Sequence, residues 1–540
     1  VPATAAEARE TAAAMFDAAA GAGEPLLIEE QLRGPEASLF AFTDGVGVAF
    51  SPPAADHKRL KDEHEGGVRL APAAAAANPN TGGMGAVCPA PFVAPAEQAE
   101  MEHLMAKTIA ALRAEGAPYR GVLYGGFMLD ADRARADPGR VAVLEFNCRL
   151  GDPEAQVVLP HMARRLDLYE LFEACATDPG ADKPPFKPNP NPNGGGDDAY
   201  HTACVVLASE GYPSSSAPPR AIALHAPALP VPRNLNANGG GGDMGGAVVY
   251  AGVQANVGGQ ELSTNGGRVL ACVGAARSLR GALACAYMTA QRVRFDERQF
   301  RGDIGVAALL NAEGGERPLR VAVLASNRAQ SVRQILLGIR DGAPGLERME
   351  VALVAANREA APVLAWAQGE GFPTAQLPRR IKGAAPPPAG ELAGHEEELH
   401  RALAQRDVDV VLLVGFDTIL SADLCSRWAG CILNVHPALL PEANAISGGA
   451  GAGAFDLKVH QAVLKGAAVS SGCTVHMVTA EPDAGPILLR KEVPVLEADT
   501  PEALKHRVQA AETLCLSDAL RRYRDADFRG LAESPFLMPQ

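Results

Sequence analysis

In the last part of the chain, short apolar runs alternate with longer segments whose apolar residues recur every three to four positions. The runs at 320–325, 350–355, 408–416 and 431–435 are rich in Val, Ile and Leu and have the length of strands. Between them, 331–339, 360–368 and 396–405 carry the helical period. Strands alternating with helices predict a doubly wound, mostly parallel α/β sheet. Upstream the pattern changes. Residues 4–20 read as a helix, 121–130 and 141–147 read as a hairpin-like pair across a polar turn, and alternation is sparse. That part of the chain predicts an α+β architecture.

Composition punctuates the pattern. The stretch from Lys183 to Gly196 is built of Pro, Asn and Gly and can form neither helix nor central strand. A second break at 312–318 precedes a fresh strand start at Leu319. Three blocks result, 1–185, 198–312 and 318–540, in line with the length prior for 540 residues. The tracts 73–77, 238–246 and 448–453 read as surface expansions.

Charge narrows the partners. Lys and Arg number 49 against 63 Asp and Glu, a net charge of −14, which disfavours nucleic acid and anionic membrane as general partners. Local basic groups remain able to hold a phosphorylated metabolite. The ten cysteines are scattered with no CxxC pair and read as reduced, buried residues of a cytoplasmic protein. No apolar stretch reaches the roughly 18 residues of a membrane helix. The first residue is Val1, not Met, and the chain opens directly into helical sequence, so a fragment or processed form is expected. An organellar leader and a homo-oligomer both stay open.

The candidate chemistry starts with Asn434-Val435-His436-Pro437 and the later Asp483. Two residues apart on a strand, Asn434 and His436 face the same way, and Pro437 ends the strand by removing a donor. The apolar approach 431–433 puts the pair at the carboxyl end of a buried parallel strand, where open α/β sheets bind ligands. An amide donor, an imidazole and a carboxylate are the parts that move a proton and steady an oxyanion. The alternative is a strand-end pair that only satisfies backbone groups.

After the pair come Ser471-Gly472-Cys473-Thr474-Val475-His476 and then Glu481-Pro482-Asp483-Ala484-Gly485-Pro486, read as strand, tight turn and strand. Together with 415–421 and 508–512, these motifs resemble the folate-dependent formyltransferases, most of all the phosphoribosylglycinamide formyltransferase family, over about 220 residues. The resemblance implies that Asn434 donates to the formyl oxygen, that His436 stabilises the oxyanion and moves protons, and that Asp483 orients His436 and relays the amine proton. It implies a folate wall over Gly415–Leu420, with Gly415, Ile419 and Leu420 as its contacts, and contact of Glu512 with glycinamide ribonucleotide. His476 reads as a support to the site, and His460, on a helical face, as structural. The family's phosphate-cradling turn reads roughly GSGTNLQ. Here Ser326-Asn327-Arg328-Ala329-Gln330-Ser331 has lost those glycines, so Ser326, Arg328 and Ser331 carry the expected substrate contact, with charge from Arg328 and Arg333.

A second signal is the run from Leu144-Glu145-Phe146-Asn147 through Gly151-Asp152-Pro153-Glu154, where Glu145 and Asn147 share one strand face as hard oxygen ligands suited to Mg²⁺. An apolar run before Glu145 argues for a partnered carboxylate. With Asp56-His57-Lys58-Arg59, the run 78–86 and the run 28–38, the first block resembles phosphoribosylamine–glycine ligase, an ATP-grasp family. The runs 201–213, 265–270 and 301–305 resemble that family's carboxy-terminal domain. The resemblance implies ATP at Glu29, Glu30, Leu32 and Glu36, Mg²⁺ at Glu145 and Asn147, and a backbone phosphate approach at 82–85. Ala55 and Asn78 depart from the family's usual Gln and Gly. The family's amino-terminal domain and its phosphate-binding lysine fall upstream of Val1, so the ligase half as it stands is expected to be weak or inactive.

The expectation is therefore a fused purine-synthesis enzyme using 10-formyltetrahydrofolate and ATP with Mg²⁺. Its substrates would be phosphoribosylamine, glycine and glycinamide ribonucleotide. Alternatives are another formyl-folate enzyme, such as a deformylase or methionyl-tRNA formyltransferase, and a non-catalytic synthetase-like scaffold carrying an active transferase.

Overall fold

The computed structural model describes residues 4–19, 28–65, 68–70, 78–133, 137, 139–164, 166–177, 200–214, 217–225, 245–255, 261–310, 317–378, 391–441, 457–466 and 468–533. The run 183–196 and the tracts 73–77 and 448–453 lie outside the described residues. So does most of 238–246; its last two residues, Gly245 and Gly246, open a strand rather than a surface expansion.

The chain begins with helix α1 (Ala5–Ala19). The first block then contributes β1 (Glu36–Thr43), β2 (Val48–Phe50), β3 (Ala55–Asp56), β4 (Gly85–Cys88), helix α2 (Pro95–Ala114), β5 (Gly121–Leu129) and β6 (Val141–Asn147). A four-stranded sheet runs β2-β1-β5-β6, all antiparallel, and the expected hairpin-like pair is its β5–β6 edge. The second block adds β7 (His201–Ala208), β8 (Gly245–Tyr250), β9 (Arg268–Ala276) and helix α3 (Leu279–Gln291). A five-stranded sheet runs β8-β9-β7-β4-β3, so the two blocks share it through the β4–β7 pairing, Gly85 opposite Val205. Thr202 ties the junction by donating to the Val157 carbonyl at 2.7 Å.

The third block holds β10 (Leu319–Ala325), helix α4 (Gln330–Asp341), β11 (Met349–Ala356), β12 (Thr374–Gln376), β13 (Val410–Leu413), β14 (Ile432–His436), β15 (Ser470–Met477), β16 (Ile487–Pro494), helix α5 (Pro501–Arg524) and helix α6 (Arg529–Glu533). Its seven-stranded sheet runs β12-β11-β10-β13-β14-β15-β16. The first five are parallel, β15 runs antiparallel to β14, and β16 runs antiparallel to β15, a mostly parallel doubly wound sheet. The run expected as strand at 408–416 pairs only over 410–413. It leaves the sheet at Gly415, which takes the left-handed φ of 59°, and so carries Phe416 and Asp417 into a loop at the carboxyl edge.

The third block also packs on the second. All thirteen residues of α3 are buried. Where the blocks touch, a Cβ on Gly430 would lie 2.3 Å from the Gly281 carbonyl, so only glycine permits that approach. Phe528 and α6 then close over α3. The Phe528 ring sits 6.4 Å from Tyr287 and 5.4 Å from Tyr523, and Arg294 and Arg298 donate to the Ala532 carbonyl at 2.8 and 2.7 Å. Asp62 accepts from Arg529 and from the Gly302 amide, which joins all three blocks at one carboxylate.

Candidate active sites

The carboxyl edge of the seven-stranded sheet gathers the first set. Asn434 and His436 end β14, and antiparallel pairing with β15 sets Asn434 opposite His476. His476 Nδ1 lies 3.0 Å from the Met477 carbonyl, which can only accept, so Nδ1 carries a proton. The other nitrogen, Nε2, then accepts from the Asn434 amide at 3.0 Å. Asp483 Oδ1 stands 3.5 Å from both His436 Nδ1 and His476 Nε2. From Nε2, only a protonated His476 can donate to that carboxylate. Burial opposes ionisation of Asp483, but His436, joined by His476 when that ring is protonated, outweighs it and holds the carboxyl well below its usual range. The left-handed backbone of Asp483, φ 55°, aims the side chain back at the pair.

Glu512 reaches the same place from α5. It is buried, and burial pushes its carboxyl up to about 7, against the opposing pull of Ser331 and His436. Thr513 donates to the Ser331 carbonyl at 3.0 Å, fastening α5 to the start of α4. The turn before α4 keeps a glycine-like shape without glycine: Ala329 takes φ 44°, and no side chain caps the helix. Arg328 is exposed, whereas Arg333 lies 4.9 Å over the Trp366 ring and donates to the Arg328 carbonyl at 3.1 Å. Gly415 and Ile419 are exposed, but the Leu420 side chain belongs to the core.

Sequence reasoning gave no role to Asn357 or Arg358 here and placed Asp417 only within the folate wall. Asp417 Oδ1 lies 2.6 Å from Ser326 Oγ and accepts from Asn357 Nδ2 at 2.7 Å, and Arg358 Nε donates to Oδ2 at 2.9 Å. Burial alone would raise this carboxyl, yet Ser326, Asn357 and Arg358 bring it down to about 2. These residues follow three different strands, so no local spacing announces them.

In the first block a cleft is lined by Glu36, Ser38, Asp56, Lys58, Tyr124 and Glu145. Lys58 pairs with Glu36 at 2.8 Å. Glu145 is exposed on edge strand β6, not buried, and its partner is the Asn147 amide at 3.1 Å. Because β6 has one open edge and one open face, the carboxylate needs no deeper pairing. Behind them, Glu154 accepts from the hydroxyls of Tyr124 (2.9 Å) and Ser38 (3.2 Å). Burial, then the charge of Glu154, pushes Asp56 well above the carboxylate range. Sequence reasoning assigned neither Asp56 nor Glu154 a function, although both stood in quoted motifs. Glu29, Glu30 and Leu32 lie in an irregular, mostly exposed stretch before β1 and do not line the cleft.

Comparison with known families decides what these sites belong to. The phosphoribosylglycinamide synthetase ATP-grasp (A) domain matches residues 1–155, the C domain of the same synthetase matches 202–307, and the formyl transferase family matches 319–520. The chain carries phosphoribosylglycinamide synthetase domains followed by a formyl transferase domain. Its synthetase part is shorter than the full ligase. The bifunctional purine biosynthetic protein purD of Dictyostelium discoideum is 34% identical over 310 residues, covering 54% of this chain and 34% of that protein. The trifunctional purine biosynthetic protein adenosine-3 of Gallus gallus is 38% identical over 291 residues, covering 53% of this chain and 24% of that protein. The chain thus spans about a third or less of the length of these curated relatives. A solved phosphoribosylglycinamide formyltransferase from Brucella melitensis is 33% identical, covering 38% of this chain and 96% of that one at a TM-score of 0.32. Among the described residues, no helix is long and apolar enough to cross a membrane.

Proposed function

We propose that the formyl transferase domain moves a formyl group from 10-formyltetrahydrofolate to glycinamide ribonucleotide in purine biosynthesis. One observation carries the reading: Asn434, His436, Asp483 and Glu512 come from one strand, a turn and a helix to one place at the carboxyl edge. The substrate amine attacks the formyl carbon and the C–N bond to the folate breaks. The amine proton passes to the departing folate nitrogen. Asn434 donates to the formyl oxygen, with its amide orientation fixed by His476. His436 steadies the oxyanion and transfers protons, and Asp483 orients His436 and accepts the amine proton through water. Ser326, Arg328, Ser331 and Glu512 hold glycinamide ribonucleotide, while Gly415, Ile419 and Leu420 form the folate wall. His436→Ala is expected to abolish formyl transfer while folate binding, read by fluorescence quenching, persists. Unchanged turnover would overturn the assignment.

The synthetase part, over 1–185 and 198–312, is proposed to descend from an ATP-dependent ligase joining phosphoribosylamine to glycine, with the transferase spanning 318–540. Glu29, Glu30 and Leu32 would meet the adenine end of ATP outside the cleft, and Glu36, which lines the cleft, would lie near its ribose. Glu145 and Asn147 offer two oxygen ligands side by side on an open strand face, which fits Mg²⁺ that keeps its remaining positions for phosphates and water. When bound, such an ion neutralises phosphate charge, and Lys58 beside Glu145 adds to that. These small-molecule reactions suit a cytoplasmic enzyme that engages neither nucleic acid nor membrane.

A further inference from the structure

The carboxyl ends of β10, β11 and β13 converge on Ser326, Asn357, Arg358 and Asp417. This set lies beside β14, which carries His436. Neighbouring strands are ~4.8 Å apart, so β10, two strands from β14, stands ~10 Å from the catalytic pair. That is the reach of a phosphorylated sugar whose far end bears the reacting amine. The start of α4 borders the same crevice with no side-chain cap, and the Val363 amide donates to the Asn327 carbonyl at 3.2 Å, docking the 357–363 segment on the turn.

Arg358 is the cation joined to this set, and it is already engaged. Its Nε and one terminal nitrogen both donate to Asp417 Oδ2. Asp417 is itself anchored on its other oxygen by Asn357 and Ser326. The side chains of the pair are 47% and 31% exposed, so solvent and ligand both reach it. A half-exposed ion pair contributes little on its own, and its exchange for another anion costs little. A phosphate monoester entering the crevice meets an arginine whose charge is cancelled and a carboxylate that repels it.

We propose that Asp417 is an internal anion that competes with the substrate's phosphate group for Arg358, and so sets the strength of phosphate recognition in this transferase. The inference rests on the reading of this crevice as the glycinamide ribonucleotide site. It explains how the site holds phosphate without the turn's glycines: Arg358 adds to the contacts of Ser326, Arg328 and Ser331, and Asp417 tempers it.

The test is calorimetric titration of the whole chain with ribose 5-phosphate, with unphosphorylated ribose as control. Asp417→Asn keeps the acceptor for Ser326 and Asn357 but removes the charge, and is expected to tighten ribose 5-phosphate about tenfold with ribose unchanged. In turnover the same variant should lower KM for glycinamide ribonucleotide with kcat little moved. Arg358→Gln should weaken ribose 5-phosphate by a similar factor. Unchanged or weaker binding in a folded Asp417→Asn protein would overturn the proposal. Should that variant not fold, the exposed Arg358→Gln decides alone, and unchanged affinity there overturns it too. The sugar-phosphate titration needs no formyl transfer, so a chain that binds as expected but does not turn over would refute the proposed function and leave this inference standing.

Discussion

Glu512→Gln tests whether the folded transferase domain buries Glu512 as a protonated carboxyl. In the folded chain the carboxyl titrates at about 7, against 4.5 for the free side chain, chiefly because it is buried. Between those values the folded state keeps a proton that the unfolded chain has released. Raising the pH through that window therefore favours unfolding. At 1.36 kcal/mol per unit, a shift of this size removes about 3 kcal/mol of stability between pH 4.5 and 7. Glutamine is neutral at every pH and fills the same space. The variant should match the parent near pH 4 and exceed it by about 3 kcal/mol at pH 8. Guanidinium melts followed by tryptophan fluorescence read this directly, because both tryptophans, Trp366 and Trp428, lie in the transferase domain. Groups common to both proteins cancel in the difference. Stability curves that run parallel from pH 4 to 8 would refute the reasoning.

Other substitutions probe other links. Asp483→Asn removes the carboxylate facing both imidazoles and should cut formyl transfer by roughly 10² or more while folate binding persists, read in single-turnover kinetics. Gly83→Ala places a Cβ 2.4 Å from Pro153 Cδ and 2.8 Å from Asp56 Oδ1 at φ 114°, and should destabilise the synthetase part, seen as earlier loss of circular dichroism on heating, by about 2 kcal/mol. Ala329→Gly relieves a left-handed backbone and should raise transferase stability by ~0.5 kcal/mol in the same melts. Phe528→Ala, at a fully buried ring against Tyr287 and Tyr523, should cost about 3 kcal/mol and expose the α3 surface to limited proteolysis.

The parallel sheet was legible because its strands are buried on both faces and read as continuous apolar runs, as 319–325 and 349–356 do. The pair Asn434 and His436 was legible for the converse reason: polar residues interrupt such a run at its end. What sequence could not supply was pairing across distance. The Asn434–His476 contact depends on antiparallel register, and the Asp417 cluster on three loops that meet only once the sheet is formed. Glu145 misled by its apolar neighbours, since Val143 and Phe146 are themselves exposed on the edge strand. The break at 183–196 is plain in composition, yet nothing in it reveals that β4 and β7 join one sheet across it.

The closure of α6 over α3 has a temporal side. Arg294 and its partner Ala532 are 238 residues apart in the chain. At ~5–20 residues per second, a ribosome reaches Ala532 on the order of ten to fifty seconds after Arg294. During that interval the nascent synthetase part presents an uncovered α3 with Tyr287 unshielded.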